Sequence, residues 1–393
     1  MPEVSSEAKQ SENFVRGLDN LVIDKTSISW IDGPNGKLYY RGIDLIELTT
    51  HSSFEETAYL LMCGKLPSAN QLASFTWKIR QMMHTREKVL RIIQELPPNT
   101  QLLFALQTAL AALASIESSL RDSDYEGLFE TAMRIVAQTP VIIAAAYRHT
   151  LGTSIIFPRN DLSFSENFLY MLTGKIPSKH YARCMEIALM LQMDNGFTSS
   201  TFTARAVAST MTNMYSATSA AVAALSGPLV GASCLTAHEM LCEFRSGHDC
   251  RIWIRERLDR GYRIAGLGHR VYQTSDPRAH ILENLLENLT PKNEKNSALF
   301  LLRNALDEAK EWHSKRGETT FPNVDYWAGA VYEKLSLHPS IFPAIIAASR
   351  AVGWTSHIVE LRADNCLYRP RSLYTGPINV PYVAISQRDF KEV

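Results

Sequence analysis

The sequence predicts an all-α fold carrying one minor β-hairpin, and three observations support it. Two Ala- and Leu-rich stretches, 102–120 and 204–225, are apolar on most faces, the pattern of helices buried on all sides. Pro97-Pro98, Pro158, Pro177, Gly227-Pro228, Gly266, Gly268, Pro277, Pro322 and Pro377 punctuate the intervening helical segments. Strand-like alternation occurs in one place, around residues 26–40.

Taken in order, residues 1–13 are polar and read as a disordered, solvated tail. Residues 26–32, the turn Gly33-Pro34-Asn35-Gly36 and residues 37–40 read as the hairpin. Ser53 and Glu56 have the spacing of a capping box opening a helix through Ala58, Tyr59, Leu60 and Leu61. Gly64-Lys65 and Gly174-Lys175 lack the upstream glycine of a phosphate loop and read as helix C-caps. Residues 238–263 and 279–316 carry more charge than the Ala-rich stretches, as helices of a smaller, more exposed domain would.

Composition narrows the function. Lys+Arg and Asp+Glu both number 40 in 393 residues, so no global basic field recruits nucleic acid or an anionic membrane. The six cysteines contain no CxxC pair, which argues for reduced thiols over a zinc site or a disulfide framework. The N-terminus lacks an apolar signal core, and no apolar run reads as long enough to span a bilayer; the expected location is the cytoplasm. Asn288-Leu289-Thr290 fits a glycosylation sequon that carries little weight without a secretion signal.

Three stretches could carry chemistry. In Gly266-Leu267-Gly268-His269-Arg270, followed by Asp276-Pro277-Arg278, glycines flank a histidine able to donate to a developing alkoxide, with arginines near for a carboxylate or phosphate. A tight turn holding a satisfied histidine is the other reading. In Phe321-Pro322-Asn323-Val324-Asp325-Tyr326-Trp327, apolar and aromatic neighbours would desolvate Asp325 and make it a stronger base, unless it is simply a helix N-cap. Arg350 lies in an apolar run and needs an anionic partner, either an internal carboxylate or a bound acid.

Together with Gly17-Leu18, Thr26-Ser27-Ile28-Ser29, Tyr40-Arg41-Gly42, His51-Ser52-Ser53-Phe54-Glu55-Glu56, Ser200-Thr201-Phe202-Thr203-Ala204-Arg205, Gly227-Pro228-Leu229 and Arg369-Pro370-Arg371, these stretches occur in the order of one family. From about Gly17 to Gly376 the chain resembles bacterial-type citrate and 2-methylcitrate synthases. The resemblance implies a homodimer of helical subunits. The expected division is a large domain of residues 14–227 and 333–393 and a small domain of residues 228–332 that closes over the substrates. It implies condensation of an acyl-CoA co-substrate with a small 2-oxo acid, with no metal or bound cofactor. By the same resemblance Asp325 is the base and His269 the donor to the ketone, while Arg278, Arg350 and Arg369 bind carboxylates, Arg369 reaching in from the neighbouring subunit.

Two positions depart from the family. Where it usually reads Gly-Pro-Leu-His-Gly-Gly, this chain has Gly227-Pro228-Leu229-Val230-Gly231-Ala232, so Val230 replaces the histidine that hydrogen-bonds the enol. Asn195 replaces a histidine that contacts the oxo acid, and its amide still offers a donor. His238, on the following segment, reads as a structural residue. Losing one oxyanion donor typically costs about 10²–10³ in rate. That penalty leaves two expectations, a divergent carbon–carbon bond-forming or cleaving enzyme with an altered substrate, or a non-catalytic carboxylate-binding relative.

Overall fold

The computed structural model describes residues 15–18, 21–117 and 124–388. The tail expected at residues 1–13 lies outside them. By internal contacts the chain divides into two units, Thr26–Leu367 and the described parts of Met1–Lys25 with Tyr368–Val393. In the latter, the Tyr368 hydroxyl donates to Asp24.

The unit Thr26–Leu367 opens with β1 (Ser29–Asp32), β2 (Lys37–Tyr40) and β3 (Ile43–Asp44), an antiparallel sheet in that order. Trp30 stacks on its cross-strand partner Tyr39 at 5.3 Å. Helices α1 (Leu45–His51), α2 (Phe54–Cys63), α3 (Ala69–Met82), α4 (Glu87–Gln94), α5 (Leu102–Ile116) and α6 (Tyr125–Thr150) follow. Next come α7 (Phe164–Thr173), α8 (Lys179–Met190), α9 (Ser199–Ala208), α10 (Met214–Leu225) and α11 (Ser233–Glu243). The last are α12 (Gly247–Asp259), α13 (Pro277–Leu289), α14 (Ala298–Ser314), α15 (Val324–Lys334) and α16 (Phe342–Ala363). The all-α class with a minor hairpin is what the molecule adopts.

The core forms around α16, buried along most of its length and packed on α2, α6, α9 and α10. Gly353 permits that packing. A Cβ there would overlap the Met193 carbonyl oxygen and lie 2.6 Å from Asp194 Oδ1, so α16 sits directly against the 192–198 loop.

Local expectations met different fates. Gly64 and Gly174 cap α2 and α7 in the left-handed conformation, at φ 80° and 77°. Ser53 caps α2 by accepting from the Glu56 N–H, but the reciprocal half of the box is missing because Glu56 Oε2 accepts from the Ser52 hydroxyl at 2.7 Å. The apolar stretch 204–225 is not one helix. It breaks at Ser209-Thr210-Met211-Thr212-Asn213, where Met211 takes φ +67° and the Asn213 side chain caps α10 by accepting from Ser216. Short polar side chains there compete with the backbone ladder. Helix α6, by contrast, exceeds the expectation that no apolar run could span a bilayer. Its 26 residues are long and apolar enough by composition, yet 83% of its apolar window is buried in the protein, as in a core helix.

Candidate active site

Two of the stretches singled out in the sequence are stitched together by backbone. Gly268 N–H donates to the Phe321 carbonyl at 2.8 Å and Asn323 N–H to the Gly266 carbonyl at 2.8 Å, with the Asn323 amide also donating to Gly268 O. The approach requires glycine at 266, where φ is +77° and a Cβ would come 2.7 Å from Tyr326 Cα. The hairpin turn docks on the other side of this loop, as Gln273 N–H donates to the Gly33 carbonyl at 3.0 Å. The loop bearing His269 is thereby fixed against the start of the helix bearing Asp325.

The His269 ring is oriented by its own loop. Nδ1 accepts from the N–H groups of Val271 and Tyr272 at 3.0 and 3.1 Å. An imidazole whose Nδ1 accepts twice carries its proton on Nε2, which makes Nε2–H the free donor. Burial lowers the ring's pKa to about 4, and Arg278 adds to the effect while Asp276 opposes it. The group is a neutral hydrogen-bond donor over the whole range near neutrality.

Asp325 is the second residue of α15 and not its cap. The cap is Asn323, whose side chain accepts from the Asp325 N–H at 2.9 Å. Burial raises the Asp325 pKa, with Ser233 and the charges of Arg278 and Arg350 pulling the other way. A desolvated carboxylate with positive charge nearby suits proton abstraction.

Arg278 and Arg350, both buried, differ. Arg278 is already paired: its Nε and Nη2 donate to both oxygens of Asp276 at 3.0 and 2.8 Å, so only Nη1 lacks a partner among the described residues. For the role of carboxylate ligand expected from the sequence, this leaves the guanidinium one end, Nη1. Arg350 has no carboxylate within ion-pair distance among the described residues. Its donors reach neutral groups, Gln192 O at 2.7 Å, Thr198 Oγ1 at 3.3 Å and Gln192 Oε1 at 3.4 Å. Burial lowers its pKa against the attraction of Asp194. Two of its five N–H donors are uncommitted. A buried cation without a carboxylate in contact favours binding an anion.

Asn195 follows the Arg350-binding residue Gln192 in the same loop, and its Oδ1 is buried without a hydrogen-bond partner. Val230 is half-buried in the turn between α10 and α11, its N–H bonded to Gly227 O at 3.0 Å. Arg369 belongs to the other unit, where its side chain is exposed. His238 packs edge-on against Phe342 at 5.2 Å with its Nε2 3.5 Å from Cys242 Sγ, the surroundings of a core residue.

Residues 17–371 match the family described as citrate synthase, C-terminal domain. The chain belongs to the citrate synthase family. It is 35% identical to the citrate synthase of Deinococcus radiodurans over 96% of this chain and 99% of that one. It is 32% identical to a citrate/2-methylcitrate synthase of Bacillus subtilis, over 94% and 98%. The fold matches a Thermoplasma acidophilum citrate synthase solved with carboxymethyl coenzyme A and oxaloacetate, at TM-score 0.89 and 29% identity over 95% and 98% of the two chains.

For this citrate synthase family member the sequence left several site residues unread. Asp194 is fully buried behind Asn195. It accepts from Ser29 Oγ and from Gly196 N–H at 3.1 Å, and its Oδ1 lies 3.2 Å from His357 Nε2. Burial works against its charge, but His357, Arg350 and Ser29 together hold the carboxyl below its usual range. Arg205, fully buried, donates to Glu360 at 3.1 Å and lies over the Phe197 ring. No single-sequence signal marks Asp194 or His357, because the contacts that join Asp194 to Ser29 and to His357 each span more than 150 residues of the chain.

Proposed function

We propose that this protein is a divergent citrate synthase-type enzyme that joins, or cleaves, a carbon–carbon bond between an acyl-CoA and a small 2-oxo acid. The observation that carries the proposal is Arg350, a buried cation with no carboxylate partner among the described residues, beside a partly desolvated Asp325. The carboxylates of the acid fall to Arg350, to the free end of Arg278 and to Arg369 supplied by a second copy of the chain, with Asn195 as a further donor. Asp325 removes the proton next to the thioester, and its electron pair moves onto the thioester oxygen. The resulting carbon nucleophile attacks the ketone, whose oxygen accepts a hydrogen bond from His269 Nε2 and gains a proton as the bond forms; water then hydrolyses the thioester of the adduct, which releases the CoA thiol. Residues 228–332 act as the small domain that closes over both substrates.

Thiol release from a panel of acyl-CoAs, each with several 2-oxo acids, tests this reading; release with none of the pairs counts against it. One observation favours the alternative of a carboxylate-binding, non-catalytic protein: Val230 offers no hydrogen bond to an enol oxygen. The two separate by mutation. Val230→His combined with Asn195→His should raise citrate formation from acetyl-CoA and oxaloacetate by about tenfold, recovering part of the ~10²–10³ that one oxyanion donor supplies. Val230 is half-buried, with Leu229 beside it 97% exposed, so the turn has space for the larger ring. A double variant that folds and binds oxaloacetate without gaining rate favours the binding protein.

A homodimer is part of the proposal. Tyr374, Ile378, Val380, Tyr382 and Ile385 are each at least 65% exposed, a run of apolar side chains that a second copy would cover. Sedimentation at micromolar concentration should give a dimer. A monomer that still binds the acid tightly would refute both the dimer and the shared role of Arg369.

A further inference from the structure

Tyr272 is 5% exposed, and its hydroxyl is buried with no hydrogen-bond partner among the described residues. Leaving a buried polar group unpaired is costly, and most such groups in native proteins are paired. The side chain is firmly placed beside two residues of the site. Its backbone N–H donates to His269 Nδ1 at 3.1 Å, and its ring centroid lies 4.6 Å from that of His269. The Arg278 guanidinium lies over the same ring, 5.9 Å from its centroid. The hairpin turn clamps the loop from outside. A Cβ at Gly33 would overlap the Val271 carbonyl oxygen, and one at Gly36, where φ is +63°, would come 2.7 Å from the Ser275 carbonyl oxygen.

The acceptors in this cluster are already filled. Asp276 Oδ1 accepts from the Arg278 backbone N–H and from its Nε, both at 3.0 Å. Asp276 Oδ2 accepts from Arg278 Nη2 at 2.8 Å and from the Val324 N–H at 3.2 Å. His269 Nδ1 accepts from two backbone N–H groups. What stays uncommitted is a set of donors: the Tyr272 hydroxyl, His269 Nε2–H and Arg278 Nη1. Burial disfavours ionisation of the Tyr272 hydroxyl and keeps it a donor. Three neighbouring donors with no acceptor left for them fit a ligand rich in acceptor oxygens, as a 2-oxo acid is.

We propose that Tyr272 is a further binding residue for the 2-oxo acid, its hydroxyl donating to the carboxylate that takes Arg278 Nη1. This rests on the reading of the site as a carboxylate site given above. The acid then supplies the one hydrogen bond that the fold leaves unmade. A ligand without a carboxylate at that place leaves the hydroxyl unpaired and is selected against.

The test is calorimetry with oxaloacetate on the wild type and Tyr272→Phe, together with the thermal midpoint of each protein without added ligand. Phenylalanine keeps the ring against His269 and Arg278 and removes one donor. Affinity should fall roughly 10- to 100-fold, the range for a hydrogen bond to a charged group. The midpoint should hold or rise, because the hydroxyl has no bond within the protein to lose. A hydroxyl that served only the fold would give the reverse, a lower midpoint with affinity kept. Equal affinity in the two proteins overturns the inference, as does a Tyr272→Phe that melts below the wild type or fails to fold. Neither readout needs turnover. A wild type that binds oxaloacetate but releases thiol from none of the acyl-CoAs therefore sinks the enzyme and leaves the role of Tyr272 to the comparison with Tyr272→Phe. A wild type that binds no oxaloacetate, citrate or succinate overturns the carboxylate site and the role of Tyr272 together.

Discussion

Asp325→Asn should lower turnover by about 10²–10⁴, the usual contribution of a positioned general base, while oxo-acid binding persists. The substitution keeps the shape of the side chain and its place in the first turn of α15, where the Asn323 cap bonds to backbone N–H and not to the carboxylate. It removes only the ability to accept a proton. Thiol-release kinetics together with calorimetry on the same preparation separate the two effects. Loss of binding and turnover together would mean that Asp325 serves the architecture of the site and not the chemistry.

Arg350→Ala should show the opposite pattern. Truncating one partner of a buried, charge-assisted contact costs about 2–5 kcal/mol, so affinity for oxaloacetate or a related dicarboxylate should drop by roughly 30-fold to several thousand-fold. Arg350 donates to neutral oxygens at 2.7–3.4 Å and has no carboxylate in contact among the described residues, so a bound carboxylate would supply its anionic partner. Calorimetry with the wild type and Arg350→Ala checks this. Equal weak binding by both would remove the main support for a carboxylate site.

What the sequence could and could not convey follows from the range of each interaction. The hairpin and the glycine caps after Cys63 and Thr173 were legible because they are decided within a few residues. The break inside 204–225 was harder to read, because Ala-rich flanks mask a five-residue polar interruption whose Asn213 cap is a common local device. At the site, the residue types of Asp325, His269 and Arg350 were legible as chemistry. Their proximity was not, since it depends on pairing Gly266 and Gly268 with Phe321 and Asn323 across more than fifty residues. The sequence also left Asp325 open as a helix cap, and one backbone bond to Asn323 decides that question. Arg278 was read as a carboxylate ligand, and nothing in the sequence showed that Asp276, two residues before it, already holds two of its donors.

The central claim is that this site ionises an acyl-CoA next to its thioester although Val230 offers the enol nothing. The most direct measurement is incorporation of solvent deuterium at that carbon, followed by mass spectrometry with the acid site filled by an unreactive dicarboxylate. Incorporation by the wild type that disappears in Asp325→Asn is the expected result. A wild type that binds both ligands and incorporates no deuterium, or incorporates it equally without the Asp325 carboxylate, would contradict the account.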